Sequence, residues 1–324
     1  MKQNGKFSVM TLGTVQLGMN YGIANRDGKP SEEKSFSILN AALDGGITTL
    51  DTARAYGDSE EVIGRFLKQY KGQTPEIVTK IRKLEGSTSK ELEKFVTESI
   101  ETSLEKLGVN KVAAVMLHGA QDPVIHGKAC ADAVKALIDH GYTDRVGVSV
   151  YTAEDIEGML PYDIFSVTQV PMSIFDQRLI AGGSVDRLRE RDYTVFVRSV
   201  FLQGLFFLDP DTMTDPILQT HAAPKIRLLR QIAAAQGLTV EQLAALCSRS
   251  VTSYRRCFER ATGKPPFEYL YEVRVKAAVN LLKGSDMPVS EIAGRVGYPT
   301  LSSFNRHFRR ITGQTPTEMR KSTD

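Results

Sequence analysis

Six polar residues lie where short β-branched runs end or just beyond. Asp51 falls in ITTLDTA (47–53), Lys80 in EIVTKI (76–81), His118 in KVAAVMLHG (111–119), Ser149 in RVGVSVY (145–151) and Gln169 in FSVTQVPMS (165–173), with Tyr56 five residues past Asp51. Asp51, Tyr56, Lys80 and His118 are four unlike proton-active groups. A phenol with a pKa near ~10 holds its proton tightly at neutral pH and is a poor acid alone. An ammonium such as Lys80 beside it would stabilise the phenolate and lower that pKa, and a carboxylate such as Asp51 would hold and partly neutralise the ammonium. An imidazole such as His118 can hydrogen-bond and orient an oxygen. Together these are the groups needed to hand a proton to a substrate oxygen. Singly, each has a plainer explanation: a strand-end lysine is commonly a solvated cap and a lone histidine a structural one. Their recurrence at successive strand ends makes them one constellation.

The elements that must position them alternate. Counting VMTLGTVQLG (9–18) as the first strand and YTVFVRSV (193–200) as the seventh gives seven β/α units. The helices between them read as SEEKSFSILNAALDGG, SEEVIGRFLKQY, SKELEKFVTESIETSLEKLG, GKACADAVKALIDHG, AEDIEGML and SVDRLRERD, with apolar residues at helical spacing. Such alternation implies a parallel sheet buried on both faces, hence a closed barrel or a doubly wound sheet. No GxGxxG follows the first strand, which disfavours the doubly wound form. In a βα barrel the chemistry sits at the strand ends, where these residues lie. FFLDPDTMTDPILQTHAAP (206–224) reads as irregular, and the seventh helix as PKIRLLRQIAAAQG or TVEQLAALC. An eighth strand should follow near residue 250, but in SVTSYRRCFERATG only Ser250 to Ser253 suit a strand. Two sheet edges would then be unpaired.

LDTARAYGDSEEVIGRFL resembles the D-T-A-x-x-Y-G-x-S-E motif of the aldo-keto reductase family, with Lys80 and His118 where its remaining tetrad members fall. QVPMSIFDQRL and FVRSVFLQGLFF are similar to its sixth and seventh units, and the resemblance covers about residues 7–240. It implies a (β/α)8-type TIM barrel, here of seven units, and NADP(H)-dependent reduction of aldehydes or ketones. Carbonyl reduction requires a hydride donor, a proton donor and a polarising group. The resemblance assigns catalysis to Asp51, Tyr56, Lys80 and His118, and the nicotinamide carboxamide to Ser149 and Gln169. The family often stacks an aromatic residue on the nicotinamide near the end of strand seven; here that position is Arg198, whose guanidinium plane can also stack. Without the eighth unit the cradle for the adenosine phosphate is missing, so the cofactor would be held weakly or lost.

The last ninety residues differ in kind. From Gly237 onward there are 14 Lys+Arg against 8 Asp+Glu, a net of +6, which leaves 27 against 30 before it, a net of −3. An acidic body with a basic tail points mildly to nucleic acid. Thr239 caps TVEQLAALC, Ser250 caps a helix to Thr262, Gly263 ends it, and Pro265-Pro266 start a long helix through Leu282. The pattern then repeats: EQLAALCSRSVTSYRRCFERATGKPP matches SEIAGRVGYPTLSSFNRHFRRITGQTP, each with a short helix, a turn and an Arg-bearing helix ended by T-G-x-x-P. Two helix-turn-helix units joined by a long helix would set two recognition helices toward successive major-groove segments. A plain bundle with a solvated basic face would satisfy the spacing equally well. I-A-x-x-V-G-Y, S-x-F-x-R-x-F-[RK]-x-x-x-G-x-T-P and R-x-x-x-A-x-x-L-L resemble the AraC/XylS family of transcriptional regulators over its DNA-binding domain of about 90 residues. That resemblance would place Thr252, Arg255 and Arg256 on the first recognition helix, and Leu301, Ser302, Ser303 and Arg306 on the second, against bases or phosphates. Phe258, Phe304 and Phe308 are expected in its core.

The chain thus divides as 1–236, a reductase-like barrel, and 237–324, an all-α double helix-turn-helix domain. Its hydrophobic fraction of 41% and charged fraction of 24% are ordinary for a globular protein, and no apolar run reaches the ~18 residues of a membrane span. The N-terminus lacks a signal-peptide core, and Cys130, Cys247 and Cys257 have neither disulfide nor metal-ligand spacing, so a cytoplasmic protein without a metal is expected. The favoured function is a DNA-binding regulator whose barrel senses a nicotinamide cofactor or small carbonyl compound or reduces it; a homodimer is compatible with this. The alternatives are a working NADPH-dependent reductase with the DNA-binding domain as an appendage, and a fusion in which only the DNA-binding end functions.

Overall fold

The computed structural model describes residues 7–235, 237, 239, 266–284, 287–298 and 300–321. They fall into two compact units, one of strands and helices up to Ala234 and one of helices from Pro266.

The first unit is a single parallel sheet whose strands neighbour one another in chain order: β1 (Thr11–Gly13), β2 (Thr49–Asp51), β3 (Glu76–Ile81), β4 (Ala114–Leu117), β5 (Val146–Ser149), β6 (Phe165–Pro171) and β7 (Thr194–Arg198). Parallel neighbours need crossovers, and helices supply them: α1 (Val15–Gly18), α2 (Glu32–Asp44), α3 (Ser59–Gln69), α4 (Ser89–Leu107), α5 (Asp122–Asp139), α6 (Ala153–Met159), α7 (Arg178–Ala181) and α8 (Ser184–Glu190), while α9 (Ala223–Ala235) follows β7. Local chemistry sets their starts. The Ser31 side chain accepts from Lys34 N to open α2, and Thr88 and Thr152 form capping boxes with Glu91 and Asp155 at α4 and α6.

The sheet is curled. Val78 of β3, Ala114 and Met116 of β4, Val167 of β6 and Phe196 of β7 form one buried cluster, which a flat sheet could not assemble from strands so far apart in order. Phe7 packs against it, its ring 5.1 Å from that of Phe196 and edge-on to it. Residues before β1 and residues of β7 therefore meet inside the curl. β1 and β7 are the edge strands among the described residues, as the expected seven-unit sheet requires.

Three local expectations are corrected. VQLG does not continue the first strand; it is α1, a single helical turn after β1. Helix α5 begins at Asp122, ahead of Gly127, where the backbone breaks from helical geometry at φ 56°, ψ −133°. The 206–224 stretch is only partly irregular: a π-helical turn at Leu218–Ala222 leads directly into α9. Arg227 and Arg230 pin α9 to Pro210, Asp211 and Leu208 through bonds of 2.6 to 3.2 Å.

The second unit contains α10 (Pro266–Gly284), α11 (Val289–Arg295), α12 (Leu301–Thr312) and α13 (Pro316–Lys321). Val275, Ala278 and Leu282 of α10 pack with Ile292 and Ala293 of α11, with Tyr298, and with Phe304 and Phe308 of α12. The α11–turn–α12 arrangement is the second predicted helix-turn-helix; Gly297 takes φ 85° in its turn, and Gly313 ends α12 at φ 79°. The first predicted unit, with Thr252, Arg255, Arg256 and Phe258, lies outside the described residues, as do Ser250 to Ser253.

Candidate active site and nucleic-acid interface

Strand register gathers the polar residues. Asp51 pairs in register with Val78, Val78 with Ala114, and Lys80 with Met116, while Pro171 pairs with Arg198 and Gln169 with Phe196. Because side chains alternate across a strand, Asp51, Lys80, Gln169 and Arg198 share the inward face of the buried cluster, at its carboxyl end. His118, one residue past β4, continues the parity of Ala114 and Met116. Between β5 and β6 the register slips: Val146 faces Phe165 but Gly147 faces Val167, leaving Ser166 as an extra residue. That bulge re-aims the rest of β6, so that Gln169 lies directly beside Ser149.

Lys80 is fully buried, and its Nζ donates to Asp51 Oδ1 at 2.6 Å, to Thr52 O at 3.0 Å and to the Tyr56 hydroxyl at 3.3 Å. The Tyr56 and His118 rings meet edge-to-face, with centroids 6.0 Å apart. The four tetrad residues therefore form one connected group.

The loop carrying Tyr56 is held from several sides. Ser59 Oγ donates to Thr14, Thr52 Oγ1 donates to Ser59, and Arg54 N donates to Lys80 O. Glu60, buried at 2% exposure, accepts from Thr79 Oγ1 at 2.7 Å and from Arg54 at 3.2 Å. Gly18 touches the loop so closely that a Cβ there would lie 1.8 Å from Tyr56 O, and Gly57 turns at φ 58° against Gly18 O. Sequence reading found Gly57 and Glu60 as parts of a motif but missed Gly18, whose signal depends on a contact 38 residues away.

Electrostatics depart from expectation at Tyr56. Burial raises its pKa above the ordinary value of 10.0, and this outweighs the lowering by Lys80, while Asp51 adds to the rise. The phenol is a protonated donor at neutral pH. Its lysine offsets desolvation but does not produce a low pKa. Burial likewise lowers His118, helped by Lys80 and Arg198, so its imidazole is neutral at pH 7. A neutral imidazole can donate one hydrogen bond to an oxygen, beside a phenol that can release a proton to it.

Ser149 and Gln169 are both buried, and Gln169 Oε1 has no hydrogen-bond partner. A buried acceptor left unpaired is costly unless a ligand N–H completes it. An amide-bearing ligand fits that requirement. Arg198 lies over the Tyr151 ring, 4.2 Å from its centroid, and donates to Val150 O at 3.1 Å. Further bolts join the loops at this end: Leu84 N donates to Asp122 Oδ2, the Gln121 amide to Asp155 Oδ1, and Tyr151 N to Asp155 Oδ2. Among the described residues no His, Cys, Asp and Glu group could hold a metal ion, and no helix is long and apolar enough to cross a membrane. Cys130 is buried, its thiol pushed up to about 12 by desolvation, which leaves it inert.

The family model for the aldo/keto reductase family matches residues 9–246. The chain belongs to the aldo/keto reductase family. A second family model, helix-turn-helix domain, matches residues 243–322, so a reductase domain is followed by a helix-turn-helix domain of AraC/XylS type. Aldo-keto reductase YhdN of Bacillus subtilis is 28% identical over 159 residues, 47% of this chain and 47% of that protein. The HTH-type transcriptional regulator AlkR of Acinetobacter baylyi is 34% identical over 85 residues, 26% of this chain and 28% of the regulator. The chain thus spans about half the length of the reductase and a quarter of the regulator. An aldo/keto reductase from Klebsiella pneumoniae, solved in complex with NADP and acetate, superposes with a TM-score of 0.52 over 74% of this chain and 76% of its own, at 19% identity. At that identity the likeness is one of fold.

In the helix-turn-helix unit, the Thr300 side chain accepts from Ser303 N to cap α12. Leu301, Ser302 and Arg306 are exposed, Ser303 is half-buried, and Phe304 and Phe308 on the opposite face are fully buried. Helix α12, the expected second recognition helix, therefore has Phe304 and Phe308 inward and Ser302, Arg306, Arg309 and Arg310 outward.

Proposed function

We propose that the protein is a sequence-specific DNA-binding transcriptional regulator, with a reductase domain at 1–236 that takes NADP(H) and a small carbonyl compound and a DNA-binding domain at 237–324. The observation that carries this reading is the pairing, in one chain, of a connected Asp51–Lys80–Tyr56–His118 group with a capped recognition helix that offers Leu301, Ser302 and Arg306 to solvent. The similar reductase that holds NADP and the similar regulator support the two halves. Its setting would be the cytoplasm.

At the barrel, Ser149 and the unpaired Gln169 Oε1 would hold the nicotinamide carboxamide, with Arg198 beside the ring. When bound, the reduced nicotinamide supplies the hydride. His118 would donate to the carbonyl oxygen and orient it. Tyr56 would release its proton to that oxygen as negative charge develops there, and Lys80, locked by Asp51, would stabilise the resulting tyrosinate. A buried lysine is weak evidence for a stabilising role, because apolar replacements of buried ion pairs are often as stable. Its retention beside a phenol favours chemistry. Retained chemistry also supports the second reading, an NADPH-dependent reductase of aldehydes and ketones that carries the DNA-binding domain as an appendage.

At the DNA, Leu301, Ser302, Ser303 and Arg306 would meet bases or phosphates, and Thr252, Arg255 and Arg256 would do so from the first unit. Arg306→Ala should weaken binding to a site selected from random DNA by about 1–3 kcal/mol. A mobility-shift titration at several salt concentrations checks this; unchanged affinity throughout would count against the recognition helix.

A further inference from the structure

Arg198 is the one cation of this site that has no carboxylate partner among the described residues. Lys80 is matched by Asp51 at 2.6 Å. Arg198 instead donates to two neutral oxygens, Val150 O at 3.1 Å and Ser199 Oγ at 3.5 Å, and lies on the phenol ring of Tyr151. A guanidinium has five N–H donors in a fixed fork, and these two bonds leave the others unused. Its position is not loose: β7 ends on it, Val150 anchors it, and Tyr151, whose backbone N–H is held by Asp155, covers one face. Its charge is felt at His118, where it adds to the lowering of the imidazole's pKa.

With Asp51 and Lys80 cancelling, the described residues leave one uncompensated positive charge on the same inward face and at the same strand ends as the groups that would grip a carbonyl oxygen. A half-buried guanidinium without a counter-ion is an incomplete arrangement, and a planar fork is suited to a carboxylate. We propose that the carbonyl ligand of this site is a 2-oxo acid, its carboxylate held by Arg198 while Tyr56 and His118 take the neighbouring carbonyl oxygen. This rests on reading the barrel as a carbonyl site. In turnover the carbonyl carbon gains a hydride from the reduced nicotinamide, the oxygen gains the Tyr56 proton, and the product is a 2-hydroxy acid. The cofactor's own phosphates are the other anion that could meet Arg198.

Phenylglyoxylate and its methyl ester separate these cases, since they share a ketone and differ in charge. For the full-length protein with NADPH, the acid-to-ester ratio of kcat/KM should fall at least about tenfold in Arg198→Met and partly recover in Arg198→Lys. An unchanged ratio overturns the proposal. So does an equal loss on both compounds that follows a raised KM for NADPH, which would assign Arg198 to the cofactor. If the parent reduces an aromatic aldehyde but neither of these compounds, the 2-oxo acid proposal is overturned; if it reduces none of the three, the reductase reading fails and calorimetry decides the anion site. Phenylglyoxylate binding at least tenfold tighter than the ester, with the advantage lost in Arg198→Met, supports it; equal binding of the two overturns it.

Discussion

Tyr56→Phe should lower NADPH-dependent reduction of an aromatic aldehyde by about 10²- to 10⁴-fold, the range over which a positioned general acid contributes. The substitution removes one hydroxyl and little else. Lys80 keeps Asp51 Oδ1 at 2.6 Å and Thr52 O at 3.0 Å, so its burial remains satisfied and the strands around it should not shift. An unaltered circular dichroism spectrum would confirm that. The pH profile follows from the two shifts. Tyr56, raised by burial, stays protonated through and beyond the neutral range, so the reduction rate should fall only above the ordinary tyrosine value of 10.0. His118, lowered by burial, becomes cationic only below its ordinary 6.5, so the profile should be flat from about pH 7 to 9. Equal rates in Tyr56→Phe and its parent would remove Tyr56 from the chemistry.

Phe304→Ala should cost about 3–5 kcal/mol of stability in the helix-turn-helix unit. The ring is fully buried and touches both Tyr298, with centroids 5.2 Å apart, and Phe308, at 5.4 Å. Removing the ring loses its transfer energy and leaves a cavity in a small core, and domains of this size have only about 5–15 kcal/mol in total. Hydrogen exchange over residues 266–321 should accelerate and specific DNA binding should be lost. Arg306→Ala, on the exposed face, should leave that exchange unchanged. If Phe304→Ala left exchange and DNA affinity at parental levels, the packing of α12 would be wrong.

Much of this was legible in the sequence because it depends on period. Short β-branched runs between helical patterns located β2 to β7, and the polar residues near their ends share one face because side chains alternate by two. Phe304 and Phe308, four residues apart on one helix face, were readable as core alongside the AraC/XylS resemblance. What was not legible depends on partners distant in the chain. The extra residue at Ser166 shows only when β6 is paired with β5, and the closeness of Gly18 to Tyr56 only when α1 meets the next loop. The sign of the Tyr56 shift was misjudged for the same reason: the neighbouring lysine was readable, but the depth of burial that outweighs it was not. Arg198 was noticed as a departure from an aromatic position; its stack on Tyr151 required the curl of the sheet.

The central claim is that one chain couples a nicotinamide-dependent carbonyl site to DNA. It is tested most directly by titrating full-length protein with a selected DNA site, with and without saturating NADPH. Coupled sites change each other's affinity by roughly 5- to 150-fold. A regulator of this kind should show a shift within that range, with Gln169→Ala reducing it. Specific DNA binding with the same affinity at every NADPH concentration would contradict the coupling and leave two domains that merely share a chain.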